Sequence, residues 1–146
     1  MDQLTRFERD VLSGKICPYC KCGTIRVTDK EIYGPQSNYN KLFIQCIENS
    51  DHYVGTFSNG QSLGRLADSD LRKLKREGHE VFDKLWQGEN ATFKTRDKAY
   101  IWLSRKMGLT KELTHFAMFN DEQCLQSVRI VNSYMKIPKW LRHLIK

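Results

Sequence analysis

No stretch of this sequence is apolar enough, for long enough, to cross a bilayer, and the opening residues Met1-Asp2-Gln3-Leu4-Thr5-Arg6-Phe7-Glu8-Arg9 lack the apolar core of a secretory signal. The expected compartment is therefore the cytoplasm, or the host cytoplasm should the gene be viral. Proline and glycine are scarce, three and nine residues, beside 40% hydrophobic and 28% charged residues, which excludes a low-complexity or disordered chain. A secreted disulfide framework is missing too, because the five cysteines are odd in number and four of them crowd one end of the chain. Clustered carboxylates, the donor set of metal-dependent phosphodiester chemistry, are also absent from the pattern: the acidic residues are spread over helix starts and solvent faces. A nuclease-type enzyme is thus the weakest of the functions considered, and no catalytic residue is assigned. What is left is a folded chain of 146 residues, enough for one compact unit or two very small ones.

What the sequence does have is a cysteine knuckle. In Ile16-Cys17-Pro18-Tyr19-Cys20-Lys21-Cys22-Gly23 the Cys-x-x-Cys turn places two thiolates on one side of a tight loop, as a tetrahedral ion drawing two ligands from one segment requires. A redox-active pair would instead sit at a strand-to-helix junction, where the helix end lowers a thiol pKa; here a β-prone segment follows. The third ligand expected is Cys46, closing the apolar run Leu42-Phe43-Ile44-Gln45-Cys46. For the fourth, His52 supplies an imidazole six positions on, a longer spacer than is usual, with Asp51 and Cys22 as the other options.

Strands are expected around these ligands. Thr24 to Thr28 alternates with period two, 34–38 is turn-rich, and Leu42 to Cys46 and Tyr53 to Phe57 are β-prone. A short helix over residues 4–12, stopped at Ser13-Gly14, leads into the knuckle. Hairpin, third strand and knuckle together make a zinc ribbon, with zinc as the cofactor.

The rest of the chain reads as helix. Residues 67–86 open on an Asp/Ser/Asp cluster and carry Leu71, Leu74, Gly78, Val81, Phe82 and Leu85 on one stripe, with His79 at its edge as a packed histidine. Gly78 within that stripe implies a close approach by another element. A second helix is capped by Thr95 and stopped by Gly108, with Ala99, Trp102, Leu103 and Met107 facing inward; a third opens at Asn120 with Gln123 and ends before Pro138, burying Cys124. His115 lies between these helices, and the tail from Lys136 alternates basic with apolar residues, including Trp140, Leu141, Leu144 and Ile145.

The fold class expected is α+β: an N-terminal zinc ribbon-like β hairpin plus third strand, packed on a C-terminal bundle of about three helices. The ribbon module spans 1–60 with its short helix, and the basic helical region spans 61–146 with its tail, the two forming one compact unit.

An ordered series of motifs adds a resemblance. Cys17-Pro18-Tyr19-Cys20, Glu31-Ile32-Tyr33-Gly34, Tyr53-Val54-Gly55, 63–72 (LGRLADSDLR), His79 with 82–86 (FDKLW), 99–103 (AYIWL) and 119–124 (FNDEQC) resemble a family of small phage and bacterial proteins described as containing a zinc finger. The likeness covers roughly residues 15–130. In that family a second cysteine pair stands just before the Tyr-Val-Gly motif; here Cys46 is present and the other position falls in Asn49-Ser50-Asp51-His52. The resemblance implies a shared fold and phage-related biology, and it carries no catalytic residues.

Net charge is +7, which favours polyanionic partners and solubility alike. Arg65, Arg72, Lys73 and Arg76 form a cluster able to sit on phosphates, so DNA or RNA is the first partner class. The function expected is a zinc-binding, non-enzymatic accessory protein contacting nucleic acid through that basic helix. The alternative is a protein-protein interaction factor acting on a host component through apolar exposure around Trp86, Trp140 and Leu144, with a homodimer equally open.

Overall fold

Thr5 and Glu8 cap each other reciprocally and start α1 (Arg6–Leu12) in the computed structural model, which describes residues 4–146. The chain divides into two compact units, Met1–Arg72 and Lys73–Lys146.

In the first unit, β1 (Thr24–Thr28), β2 (Leu42–Cys46) and β3 (Tyr53–Gly55) form an antiparallel sheet in chain order. Expected to reach Phe57, β3 stops at Gly55. Beyond it Thr56 bridges Ser62 and the Phe57 N–H bonds Gln61 O, so the backbone turns back on itself. Between β1 and β2 lies α2 (Asp29–Tyr33), which the turn-rich reading of this region did not anticipate. Thr28 and Glu31 cap it reciprocally, and the buried Asp29 carboxylate accepts from Ser37 Oγ (2.6 Å) and Tyr39 N (3.0 Å), fastening the return loop. These hydrogen bonds, led by Ser37, outweigh burial and hold that carboxyl below its ordinary range. The core between the sheet and the following segment is Cys17, Ile44, Cys46, Val54 and Leu66.

Helix α3 (Ser69–Asp83) begins in the first unit and continues into the second. It ends three residues before the expected Trp86, yet winding does not stop there. The N–H groups of Lys84, Leu85 and Trp86 bond the carbonyls three residues back, a tighter turn that still buries Leu85 completely.

The second unit continues with α4 (Arg96–Met107), α5 (Asp121–Met135) and α6 (Lys139–Ile145). Thr95 caps α4 and Gly108, at φ +68°, ends it, while Asn120 and Gln123 form a reciprocal cap on α5. Phe82, Leu103, Phe116, Phe119, Cys124 and Val131 fill the core, and Trp102 is buried with them. Gly78 meets Phe116 so closely that a Cβ there would lie 2.3 Å from the ring. The close approach implied by a glycine in the apolar stripe is thereby located.

The tail carries a helix, and one of its basic residues faces inward. Arg142 is 1% exposed and has no carboxylate partner among the described residues. Its guanidinium donates to the carbonyls of Ile137 and Asn90, to Thr92 Oγ1 at 2.7 Å and to Asn90 Oδ1 at 2.9 Å. Neutral oxygens thus satisfy a buried cation and pin α6 to the 90–92 loop.

Candidate metal centre

The knuckle is built by backbone geometry. Cys17 N bonds Cys22 O and Lys21 N bonds Cys17 O, both at 2.9 Å, while Lys21 takes φ +60°, so the chain turns tightly enough to aim the Cys17 and Cys20 sulfurs the same way. The other two donors come from the β2–β3 hairpin. In its register Ile44 faces Val54 and Gln45 faces Tyr53, so the next opposed pair is Cys46 and His52, and Cys46 N bonds His52 O at 2.9 Å. Spacer length is therefore immaterial: antiparallel pairing, not a short loop, sets the two side by side.

The donor atoms of Cys17, Cys20, Cys46 and His52 all lie within 4.8 Å of one another. His52 offers Nδ1, at 3.4 Å from Cys17 Sγ and 3.6 Å from Cys20 Sγ. Zinc bonds of about 2.3 Å to sulfur and about 2.0–2.1 Å to nitrogen, at a tetrahedral angle, demand a sulfur-to-nitrogen edge of about 3.6 Å. The site fits the ion: this is a Cys3His-type metal-binding cluster of the zinc-finger kind. Zinc bound there would supply structural cross-linking, with all four tetrahedral positions filled by protein.

Surrounding groups orient the donors. The Tyr19 ring packs on the His52 imidazole with centroids 4.4 Å apart, and its hydroxyl accepts from Asp68 N at 3.2 Å. The Glu48 N–H donates to Cys46 Sγ at 3.4 Å. Burial pushes the Cys46 thiol up, but that N–H, the Cys22 thiol and the Asn49 N–H outweigh it and bring Cys46 down to about 6. Cys20 goes the other way, to about 12, through burial and then its hydrogen bonding with Cys46.

The two other options for the fourth ligand are placed elsewhere. Asp51 pairs with Arg72 at 2.6 Å and accepts from Ser69 N at the start of α3, and the Arg72 hydrogen bond lowers its carboxyl despite some burial. Cys22 touches only Cys46 among the donors, sulfur to sulfur at 3.3 Å, and lies outside the four-atom cluster. Tyr19 and the Glu48 N–H were not foreseen as parts of the site. The Tyr within Cys17-Pro18-Tyr19-Cys20 was the available signal for one, while the other is a main-chain group without any.

The four basic residues differ in their surroundings. Arg72 is engaged inside the first unit: it donates to Ala67 O and Asp51 O and lies over the Tyr53 ring at 4.0 Å. Arg65 is half-buried, and its charge helps slightly to lower Glu8, after the two Thr5 hydrogen bonds that dominate. Lys73 and Arg76 are exposed on α3. His79 and His115, both half-buried, pack against Phe116 (4.6 Å) and Tyr100 (4.7 Å), and burial is the leading cause that lowers both pKa values.

Residues 13–134 match the profile of a family described as a zinc-finger-containing domain. No curated protein and no solved structure matches the chain.

Proposed function

The chain belongs to this zinc-finger-containing domain family, and on that footing we propose that it is a non-enzymatic, zinc-holding accessory protein that contacts nucleic acid through its basic helical unit. The observation that carries the reading is the partition of charge. Residues 1–72 hold nine basic and nine acidic side chains, whereas residues 73–146 hold fifteen basic and eight acidic, so the whole +7 belongs to the helical unit. A metal-tied unit of balanced formal charge and a strongly cationic helical unit in one chain suit a scaffold attached to a polyanion reader. Four protein donors also leave the ion no position for a reacting water, which favours a structural over a catalytic role for the metal.

Lys73 and Arg76 are the members of the α3 cluster with exposed side chains in this unit. The test is binding of the zinc-loaded protein to labelled DNA and RNA at rising salt. Affinity should fall linearly on logarithmic axes, by a slope of about 0.7–0.9 for each phosphate neutralised. A protein that binds neither polymer at about 50 mM salt would end the reading.

A second reading rests on α6, where Trp140 and Leu144, four residues apart, are 69% and 75% exposed. Such a pair on one helix face suits a protein partner, whether a host component or a second copy of this chain. Light scattering that gives a dimer for the wild type and a monomer for Trp140→Ser would favour the second copy.

A further inference from the structure

Lys98, Ile101 and Arg105 follow the i, i+3, i+7 spacing of a single face of α4, and with Lys94, which precedes the helix cap Thr95, they form one row lining a concavity. Its three cations are exposed, and only Ile101 is half-buried. They line a concavity of about 470 Å³ whose floor is Phe93, Ile101 and Trp102, with Lys146 at its edge and no acidic side chain in its wall. None of Lys94, Lys98 and Arg105 makes an ion pair among the described residues; the nearest acid in sequence, Asp97, is tied to Lys111 at 2.7 Å. Trp102 forms part of the floor and carries the one buried side-chain donor without a partner among the described residues, its indole Nε1. A second concavity of about 410 Å³, also walled by Trp102, adds Lys106 and Arg129.

We infer that the concavity lined by Lys94 and by Lys98 and Arg105 of α4 is a binding site for the phosphodiester backbone of a nucleic acid, a site distinct from the α3 cluster and resting on the nucleic-acid reading above. Unpaired cations along a concave face with no opposing charge are held at an electrostatic cost that a polyanion relieves. Length decides what kind of phosphate ligand fits. Lys98 and Arg105 are seven residues apart, about 10.5 Å along the helix, and Lys94, ahead of the helix, lines the same concavity. One phosphate group cannot reach both ends, whereas a strand presenting a charge every few ångströms can lie along the whole row. A lipid surface would need an apolar wedge in the same face, and the sole apolar member, Ile101, is sunk between the cations. The row reads charge and not sequence, since nothing in it is placed to recognise a base edge.

The experiment compares three forms of the zinc-loaded full chain: wild type, the triple variant Lys94→Gln/Lys98→Gln/Arg105→Gln, and the double variant Lys73→Gln/Arg76→Gln. Each is titrated against a fluorescein-labelled 20-nucleotide single strand and the matching duplex between about 50 and 300 mM salt, with helix content checked by circular dichroism. The expected result is at least a 10-fold loss of affinity in the triple variant and a salt slope shallower by about 2, which is three cations at about 0.7 each on a single strand. Unchanged affinity and slope in the triple variant, with the loss appearing in the double variant, would overturn the α4 site and leave the nucleic-acid reading standing. No binding by the wild type would end both. Binding of wild type to phosphatidylserine vesicles but not to either oligonucleotide, lost in the triple variant, would reassign the face to membranes and overturn the inference.

Discussion

The cysteine beside the cluster is the sharpest residue-scale question. Cys22 approaches Cys46 at 3.3 Å, closer than the sulfur edge of about 3.8 Å expected of two thiolates on one zinc ion, and it reaches none of the other donors. A thiol hydrogen-bonded to a thiolate accounts for that distance. Cys22→Ser should therefore keep one zinc per chain by native mass spectrometry, since a hydroxyl can donate to the Cys46 sulfur in the thiol's place. His52→Ala and Cys46→Ser each remove a donor and should cost more than the 10–100-fold in metal affinity typical of outer partners. Asp51→Asn should retain the metal, because its carboxylate serves Arg72 and the start of α3. Zinc lost from Cys22→Ser and kept by His52→Ala would exchange the two roles. The Cys-x-x-Cys spacing alone revealed the knuckle, and chemistry narrowed the remaining donors to a few. What spacing could not say is that Cys46 and His52 are cross-strand neighbours, because register is a property of two paired strands and not of either segment.

At the scale of elements, the long helices were legible, and among the short ones only α1, stopped at Ser13-Gly14, was. Over 12–15 residues, α4 and α5 give several turns of apolar periodicity plus caps at Thr95, Gly108, Asn120 and Gln123. By contrast α2 has five residues and α6 seven, too few for a period to stand out, although Thr28 with Glu31 was a capping signal. Arg142 had no signal at all: its cradle of neutral oxygens comes partly from Asn90 and Thr92, some fifty residues earlier. Gly78 is the place where pattern and packing agree most closely. Ala would gain up to about 1 kcal/mol of helix propensity there. The added Cβ, though, would fall 2.3 Å from a Phe116 ring that is 2% exposed and packed on Phe82, Phe119 and His79. Overpacking of a buried ring costs about 1–3 kcal/mol, so it outweighs the propensity. Gly78→Ala should lower the urea midpoint of the helical unit with m unchanged, and an increase in stability would mean that Phe116 has room to move.

For the molecule as a whole, the two units depend on different things. The helical unit buries Phe82, Phe93, Trp102, Phe116 and Phe119, a core that needs no metal. In the ribbon unit two of the five residues in the core cluster, Cys17 and Cys46, are metal donors; Ile44, Val54 and Leu66 complete it, with Val11, Val27 and Phe43 buried elsewhere in the unit, so losing the metal loosens two of the cluster's five members. Binding free energy there is folding free energy. At a free zinc concentration 1,000 times the dissociation constant, the ion adds about 4 kcal/mol of stability, and a chelator that strips it removes that whole contribution. Hydrogen exchange read by mass spectrometry should then show Thr24–Thr28, Leu42–Cys46 and Tyr53–Gly55 losing protection on metal removal, while Arg96–Met107 and Asp121–Met135 keep theirs. Trp86, Trp102 and Trp140 all lie after residue 73, so tryptophan emission should report the helical unit alone and stay near its starting wavelength throughout. Acid should reproduce the effect: cysteine binds zinc as the thiolate, so protons compete with the ion and ribbon stability falls as pH falls. Strands that stay protected after the metal has gone would mean that the few apolar residues of the ribbon suffice, and the cluster would then need a purpose other than holding the sheet.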